Sequence, residues 1–524
     1  MAKHQTNLFK LSFPFGGYHR GVSYDDQPRG TTFDCQNVRP WDPATGRKRG
    51  AQRAGLSLYL AAQAGGGANV IRDINHFVGA DTTAISTTQL SNRSTTALAV
   101  AAGSIYKFTP SGFTLPTGGA ALSANAPVVF SAQMGERMFY CDGVNYAKYD
   151  SSTDAVTAWT AATAGTIPAN GSNRARLIEA WGGRIVLSGI LDDRRNYFLS
   201  AVFDPEDFDY NPEPLLETRA VAGNGGPAGI PGDNINGMIP YSDDVLIFLC
   251  DHEIYELRGN PTAGGRLDRI TDVVGGAWGR AWAKTDTGVV YFAGSRGGVY
   301  RMTPGSMPER ITRDRVDEQM ATIDLSTHLV RLGWDDRTQG LHVFFSPLAA
   351  GSATHWYWDM RTDSWWPDVF GDNNFNPLAV HLFDGDDPDD RVLMLGGRDG
   401  RIRYFSLNSK SDDTSAIDSY VFMGPLKMAQ GQRVMIDEVQ AQLGANSDNV
   451  TLAYHRGHDA EDAAGSVASH TRTIESGRNH SFRDRLAGHA LYLRMGNNED
   501  DQAWSVEGLR CRLQSFTGSA QRVF

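Results

Sequence analysis

Val289–Met302 reads VVYFAGSRGGVYRM and Val245–Gly259 reads VLIFLCDHEIYELRG: an apolar strand, a tight polar turn, then a strand carrying Tyr, Trp or Phe. The same unit recurs at Leu98–Phe108, Met138–Asp150, Arg184–Ser200, Leu341–Trp366 and Val392–Asn408, making seven instances. Recurrence at several tens of residues marks radial β repetition, because each unit buries its faces only against its neighbours. The turns carry Gly103, Asp142-Gly143, Asp251-His252, Arg296-Gly297-Gly298 and Asp399-Gly400, mostly the residues that tight hairpins require. Spacing between units is uneven, so loops of different length emerge at the rims. The expectation is an all-β chain built on a β-propeller of six to eight blades.

Outward from that array, both ends change character. Residues 1–60 run from Phe13-Pro14-Phe15-Gly16-Gly17-Tyr18 through Asp42-Pro43-Ala44-Thr45-Gly46 to Arg47-Lys48-Arg49-Gly50. Strand, turn and strand are expected there, in a segment placed to dock a partner or to complete the propeller. Residues 61–416 hold the propeller. From Ile417 onward, apolar alternations at Val434–Leu443, Val450–Tyr454, Ala490–Met495 and Val506–Leu513 predict a C-terminal β-sandwich over 417–524.

Composition agrees with an all-β reading. In 524 residues there are 24 Phe, 18 Tyr, 11 Trp and 57 Gly, and helical periodicity is broken before three turns accumulate. The net charge of −11 lacks the basic surplus of a dedicated duplex binder. It suits a protein past which DNA slides without sticking. Cys35, Cys141, Cys250 and Cys511 have no metal spacing and are expected to be reduced core residues. No stretch approaches the ~20 apolar residues of a membrane span. MAKHQTNLFK lacks a secretory h-region, which predicts synthesis in the cytoplasm.

The search for chemistry yields few candidates. Arg47, Lys48, Arg49 and Arg53 form the densest basic cluster, a solvated strand edge or a contact for a partner or DNA. The stretch Gly223, Asn224, Gly225, Gly226, Pro227, Ala228, Gly229, Ile230, Pro231, Gly232 lacks the GK[ST] of a phosphate cradle and reads as a surface loop. Asp384, Asp386, Asp387, Asp389 and Asp390 miss the EF-hand spacing and are broken by Pro388. The pairs Asp192/Asp193, Asp243/Asp244 and Asp335/Asp336 are adjacent, so on a strand they face opposite ways and share no site. The aromatic run His355–Asp359 with Ser364-Trp365-Trp366 fits blade packing, with any exposed rings left as a contact surface. HExxH and GxSxG are absent, and no enzyme activity, cofactor or metal is expected.

The N-terminal run, with Gly16-Gly17, Asn37-Val38 and Arg47–Gly50, resembles the opening of tail-nozzle and tail-hub proteins of short-tailed bacteriophages. Asp204-Pro205-Glu206-Asp207-Phe208, the stretch Val245–Met302 and the terminal Leu491–Arg494 with Trp504–Gly508 are similar to later parts of that family, in the same order. The resemblance implies a structural virion protein in a hexameric ring below the portal and adaptor. Its partners would be further copies of itself, the adaptor, tail fibre or spike proteins, and DNA passing non-specifically. Gly223–Gly232 would then be a channel-gating loop and Arg47–Arg53 a grip on the adaptor or DNA. The alternative is a carbohydrate-binding or glycan-degrading propeller on a phage or bacterial surface, which predicts a central pocket with convergent carboxylates.

Overall fold

The computed structural model describes residues 7–80, 93–385, 390–428, 432–475 and 479–516. Seven four-stranded antiparallel sheets follow one another along the chain, and they are the blades of a β-propeller. Their innermost strands are Ile71–Ala80, Phe130–Met134, Leu177–Trp181, Ile235–Ser242, Trp282–Lys284, His328–Asp335 and Ala379–Phe383, numbered here as blades I to VII. Six of the repeat units are the second and third strands of a blade, and the Leu341–Trp366 unit runs on into the fourth strand of blade VI. Those middle strands are apolar on both faces because each blade is sandwiched between two others. Val245–Cys250 is buried at every position.

Blade VII has only three strands from its own stretch of chain. Its fourth is Gly55–Leu58, which pairs antiparallel with Ile402–Ser406 and so closes the ring from the N-terminal side.

The C-terminal sandwich packs two five-stranded sheets. One holds Val506–Phe516, Arg433–Leu443, Asn479–Phe482 and Leu486–Gly488; the other holds Ser419–Leu426, Ala490–Asn497, Val450–Gly457 and His470–Ile474. The N-terminal segment supplies the missing strand of each. Asn7–Leu11 pairs with Val506–Phe516, and Cys35–Gln36 pairs with Ser419–Leu426. One segment of chain therefore threads both sandwich sheets and the last blade.

Close packing holds this segment against blade VI. Phe13 stacks on Trp366 at 5.6 Å, and Tyr18 meets Trp356 edge-on at 5.3 Å. Trp356, Tyr357, Trp358, Trp365 and Trp366 are all buried, so the aromatic run leaves no ring free as a contact surface. The reason is that blade VI is covered twice, by adjoining blades and by residues 13–41. Two glycines permit the approach. A Cβ on Gly17 (φ +74°) would lie 2.7 Å from the Trp365 carbonyl oxygen, and one on Gly50 (φ +79°) would enter the Phe13 ring at 2.2 Å.

All four cysteines are free and buried. No helix among the described residues is long and apolar enough to cross a membrane.

Candidate functional site

Residues on the inner strands and in the loops entering them face the propeller axis, and there the sequence turns polar. On blade I, Asp73 Oδ2 accepts from Asn75 Nδ2 at 2.7 Å and from the blade II Ser131 Oγ at 2.6 Å. Arg280, just before blade V, donates through Nε to Glu179 Oε1 of blade III at 2.8 Å, and through Nη2 to the Ser131 carbonyl. Arg331 of blade VI donates through Nε to the Leu378 carbonyl at 3.2 Å. The Arg280 and Arg331 guanidiniums both sit over the Phe130 ring, at 5.5 and 4.9 Å. Further along the axis, His76 Nδ1 and His381 Nε2 are 2.7 Å apart. This network fills the centre of the propeller.

Burial sets its electrostatics. Desolvation raises the Asp73 and Glu179 carboxyls above the ordinary carboxylate range, with Arg280 working against it in both cases. The same desolvation lowers Arg331 to about 10. Arg331 Nη1 is buried and, among the described residues, has no hydrogen-bond partner. The two axial carboxylates are tied to Arg280, directly for Glu179 and through the Ser131 hydrogen bonds for Asp73, so they do not converge on an open cleft. No group of three His, Cys, Asp or Glu among the described residues could hold a metal ion.

Above the network, where the loops enter the inner strands, a cavity of about 300 Å³ opens at one end of the axis. Its wall includes Val128, Arg176, Arg194, Trp278, His328 and Leu329. Arg194 Nη2 donates to Asn236 Oδ1 at 2.9 Å. Among the described residues neither Arg176 nor Arg194 has an ion-pair partner, and no carboxylate lines the cavity. Most of its lining is apolar, and its charged residues are the two arginines.

The residues singled out in the sequence lie elsewhere. The basic cluster is divided by its path inward: Arg47 and Lys48, at the turn leading into the strand Lys48–Gln52, stay exposed, Arg49 is half-buried, and Arg53, just beyond the strand, is buried. Arg49 is paired with Asp42 and Glu507. Arg53, 2% exposed, grips Asp412 bidentately at 2.8 and 2.6 Å and reaches Asn37 Oδ1 at 3.0 Å. Nearby, Arg39 holds Asp368 at 2.8 and 2.5 Å. Burial alone would raise the Asp368 carboxyl, but Arg39 and Arg53 outweigh it and hold it below the usual range. Arg53 is thus a structural ion, inaccessible to an adaptor or DNA, and only Arg47 and Lys48 remain on the surface. Lys48 lies 5.1 Å over the Phe15 ring.

Gly223–Gly232 links blades III and IV. Tyr197 donates its hydroxyl to the Gly229 carbonyl at 3.0 Å, Gly232 N donates to the Tyr255 hydroxyl at 3.1 Å, and Asn224 N donates to Asn196 Oδ1 at 3.1 Å. Gly223 itself is buried against Tyr197. In the acidic run, Asp384 lies 3.5 Å from Arg391, and residues 386–389 fall outside the described residues. Asp336 also pairs with Arg391, while Asp335 caps the turn at Arg337 and Thr338.

No family model matches the chain, and no curated protein does. Solved structures give low likenesses. The extracellular domain of a one-component system of B. thetaiotaomicron is 12% identical at a TM-score of 0.40, covering 89% of this chain and 62% of that one. That of a hybrid two-component system from the same organism is 9% identical at 0.40, covering 80% and 48%. Raptor from Chaetomium thermophilum is 10% identical at 0.37, covering 68% and 29%. This chain therefore spans less than two thirds of the length of each, and at these scores no property of theirs transfers to it.

Sequence reasoning missed the axial residues because they sit on strands outside the aromatic repeat. The signal was available in Ile71–Val78, where Asp73 and Asn75 flank Ile74 inside an otherwise strand-like run. It becomes meaningful only once the ring is closed.

Proposed function

We propose that the chain is a structural protein of a short-tailed phage, one subunit of a hexameric nozzle or hub ring that carries the DNA channel below the portal and adaptor. The supporting observation is where the motif residues lie. Phe13, Gly17, Asn37, Val38, Gly50 and Arg53, which carry or flank the resemblance, are the ones that lock the N-terminal segment between sandwich and propeller. A motif that specifies a rigid junction fits a subunit whose work is mechanical. The duplex would pass between subunits, since each propeller axis is filled by its own side chains. The net charge of −11 keeps the lumen wall weakly adhesive toward DNA.

Native mass spectrometry of the full chain tests this reading. A closed ring of 57.2 kDa subunits is the expected result. A monomer that stays monomeric with the adaptor present would overturn it.

The axial cavity favours a second reading, a ligand-binding propeller on a phage or bacterial surface. It predicts a monomer that retains a glycan on an array.

A further inference from the structure

We propose that the cavity at the end of the propeller axis is a site for a small oxyanion carried on a ring, of which an acidic sugar is the type. The inference deepens the second reading, since it names the ligand chemistry of that same cavity, and it does not depend on ring assembly.

Two observations carry it. First, the cavity holds about 300 Å³, the lower end of the range for ligand pockets. Second, Arg176 and Arg194 face it with no carboxylate among the described lining residues, in a chain whose acids outnumber its bases. Elsewhere in this protein, guanidiniums at such junctions are neutralised, as at Arg39, Arg53 and Arg280.

Two cations facing a cavity with no carboxylate in its lining give it a positive potential, in which charge-assisted hydrogen bonds to an oxyanion are strong. Trp278 is half-buried, packed against Phe130 at 5.7 Å, and offers an apolar face for the ring that carries the anion. A neutral sugar of the same size would leave the guanidinium charges uncompensated.

Isothermal titration of the full-length chain with glucuronate, inorganic phosphate and glucose decides the matter. The expected result is glucuronate binding, with glucose weaker by about tenfold or more, and loss of about tenfold in Arg176→Ala/Arg194→Ala. Arg176→Lys should keep most of the affinity, which separates charge from shape. Phosphate bound at the same site, and lost in the double variant, would assign the oxyanion to phosphate and still support the site. Glucose binding as tightly as glucuronate would overturn the anion assignment while leaving a ligand-binding propeller intact. No anion binding at millimolar concentration, or binding unchanged in the double variant, would remove the site altogether. Both arginines lie at the surface of the mouth, and an unchanged melting temperature confirms that the variant is folded.

Discussion

The junction between sandwich and propeller and the mouth of the propeller axis both gather arginines, yet they treat them in opposite ways. At the junction each guanidinium is matched: Arg39 to Asp368, Arg53 to Asp412, Arg49 to Asp42 and Glu507. At the mouth Arg176 and Arg194 have no such match among the described residues. Matched ions out of water fix one geometry, and removing either partner strands the other. Unmatched ions beside a cavity contribute little to folding and keep their interaction free for something else. The first region is built to hold and the second to receive.

The largest expected effect follows from breaking the matched set. Arg53→Ala leaves Asp412 buried with its charge uncompensated, and should cost about 3–5 kcal/mol in urea unfolding. A loss well under 1 kcal/mol would mean that the junction is not held by its ions.

Next comes backbone fit. Gly17→Ala places a methyl on the Trp365 carbonyl at positive φ, and should lower stability by roughly 1–3 kcal/mol. The same substitution at Gly229, also at positive φ but with open space around it, should cost less. Equal melting temperatures for the two variants would contradict the close approach at Gly17.

A smaller effect tests the junction through pH. Burial lowers His342 to about 3 and His355 to about 4. His355 Nδ1 accepts from Phe345 N at 3.2 Å and its Nε2 lies 2.9 Å from Asn376 Oδ1, an arrangement suited to the neutral ring. Both folded values lie below the unfolded one, so the unfolded chain takes up protons first. Their contribution is complete above about pH 6.5 and is lost progressively as pH falls toward the folded values. Melting temperature should therefore drop between pH 7 and pH 5, and His355→Gln should flatten the slope. A flat profile in the parent protein would show that these rings are not held neutral.

How much of this could be read in advance depended on which strand was being read. The middle strands, such as Val245–Cys250 and Val290–Ala293, are buried on both sides and end in tight turns, so hydrophobicity alone marks them. The innermost strands mix polar axial residues with apolar ones, and blade V has only Trp282–Lys284, too short for any period to register. The particular pairings of Gly55–Leu58 and Cys35–Gln36 were beyond reach for a different reason. Their partners, Ile402–Ser406 and Ser419–Leu426, lie hundreds of residues away, and nothing local to a short strand names a distant mate. The basic cluster shows the same limit. Arg47, Lys48, Arg49 and Arg53 are adjacent in sequence, but the acids that claim Arg49 and Arg53 come from Asp42, Glu507 and Asp412, so density of charge did not mean exposure.

The smallest stability effect belongs to the mouth. Arg176→Ala/Arg194→Ala should change unfolding free energy by no more than about 1 kcal/mol, since Arg176 is exposed and Arg194 loses one hydrogen bond to Asn236.

Urea unfolding of Arg53→Ala beside Arg176→Ala/Arg194→Ala, each also titrated with glucuronate under native conditions, tests the contrast most directly. The account predicts that the first variant loses several kcal/mol and keeps its affinity, whereas the second keeps its stability and loses the ligand. Equal destabilisation of the two, or ligand affinity lost only in Arg53→Ala, would contradict it.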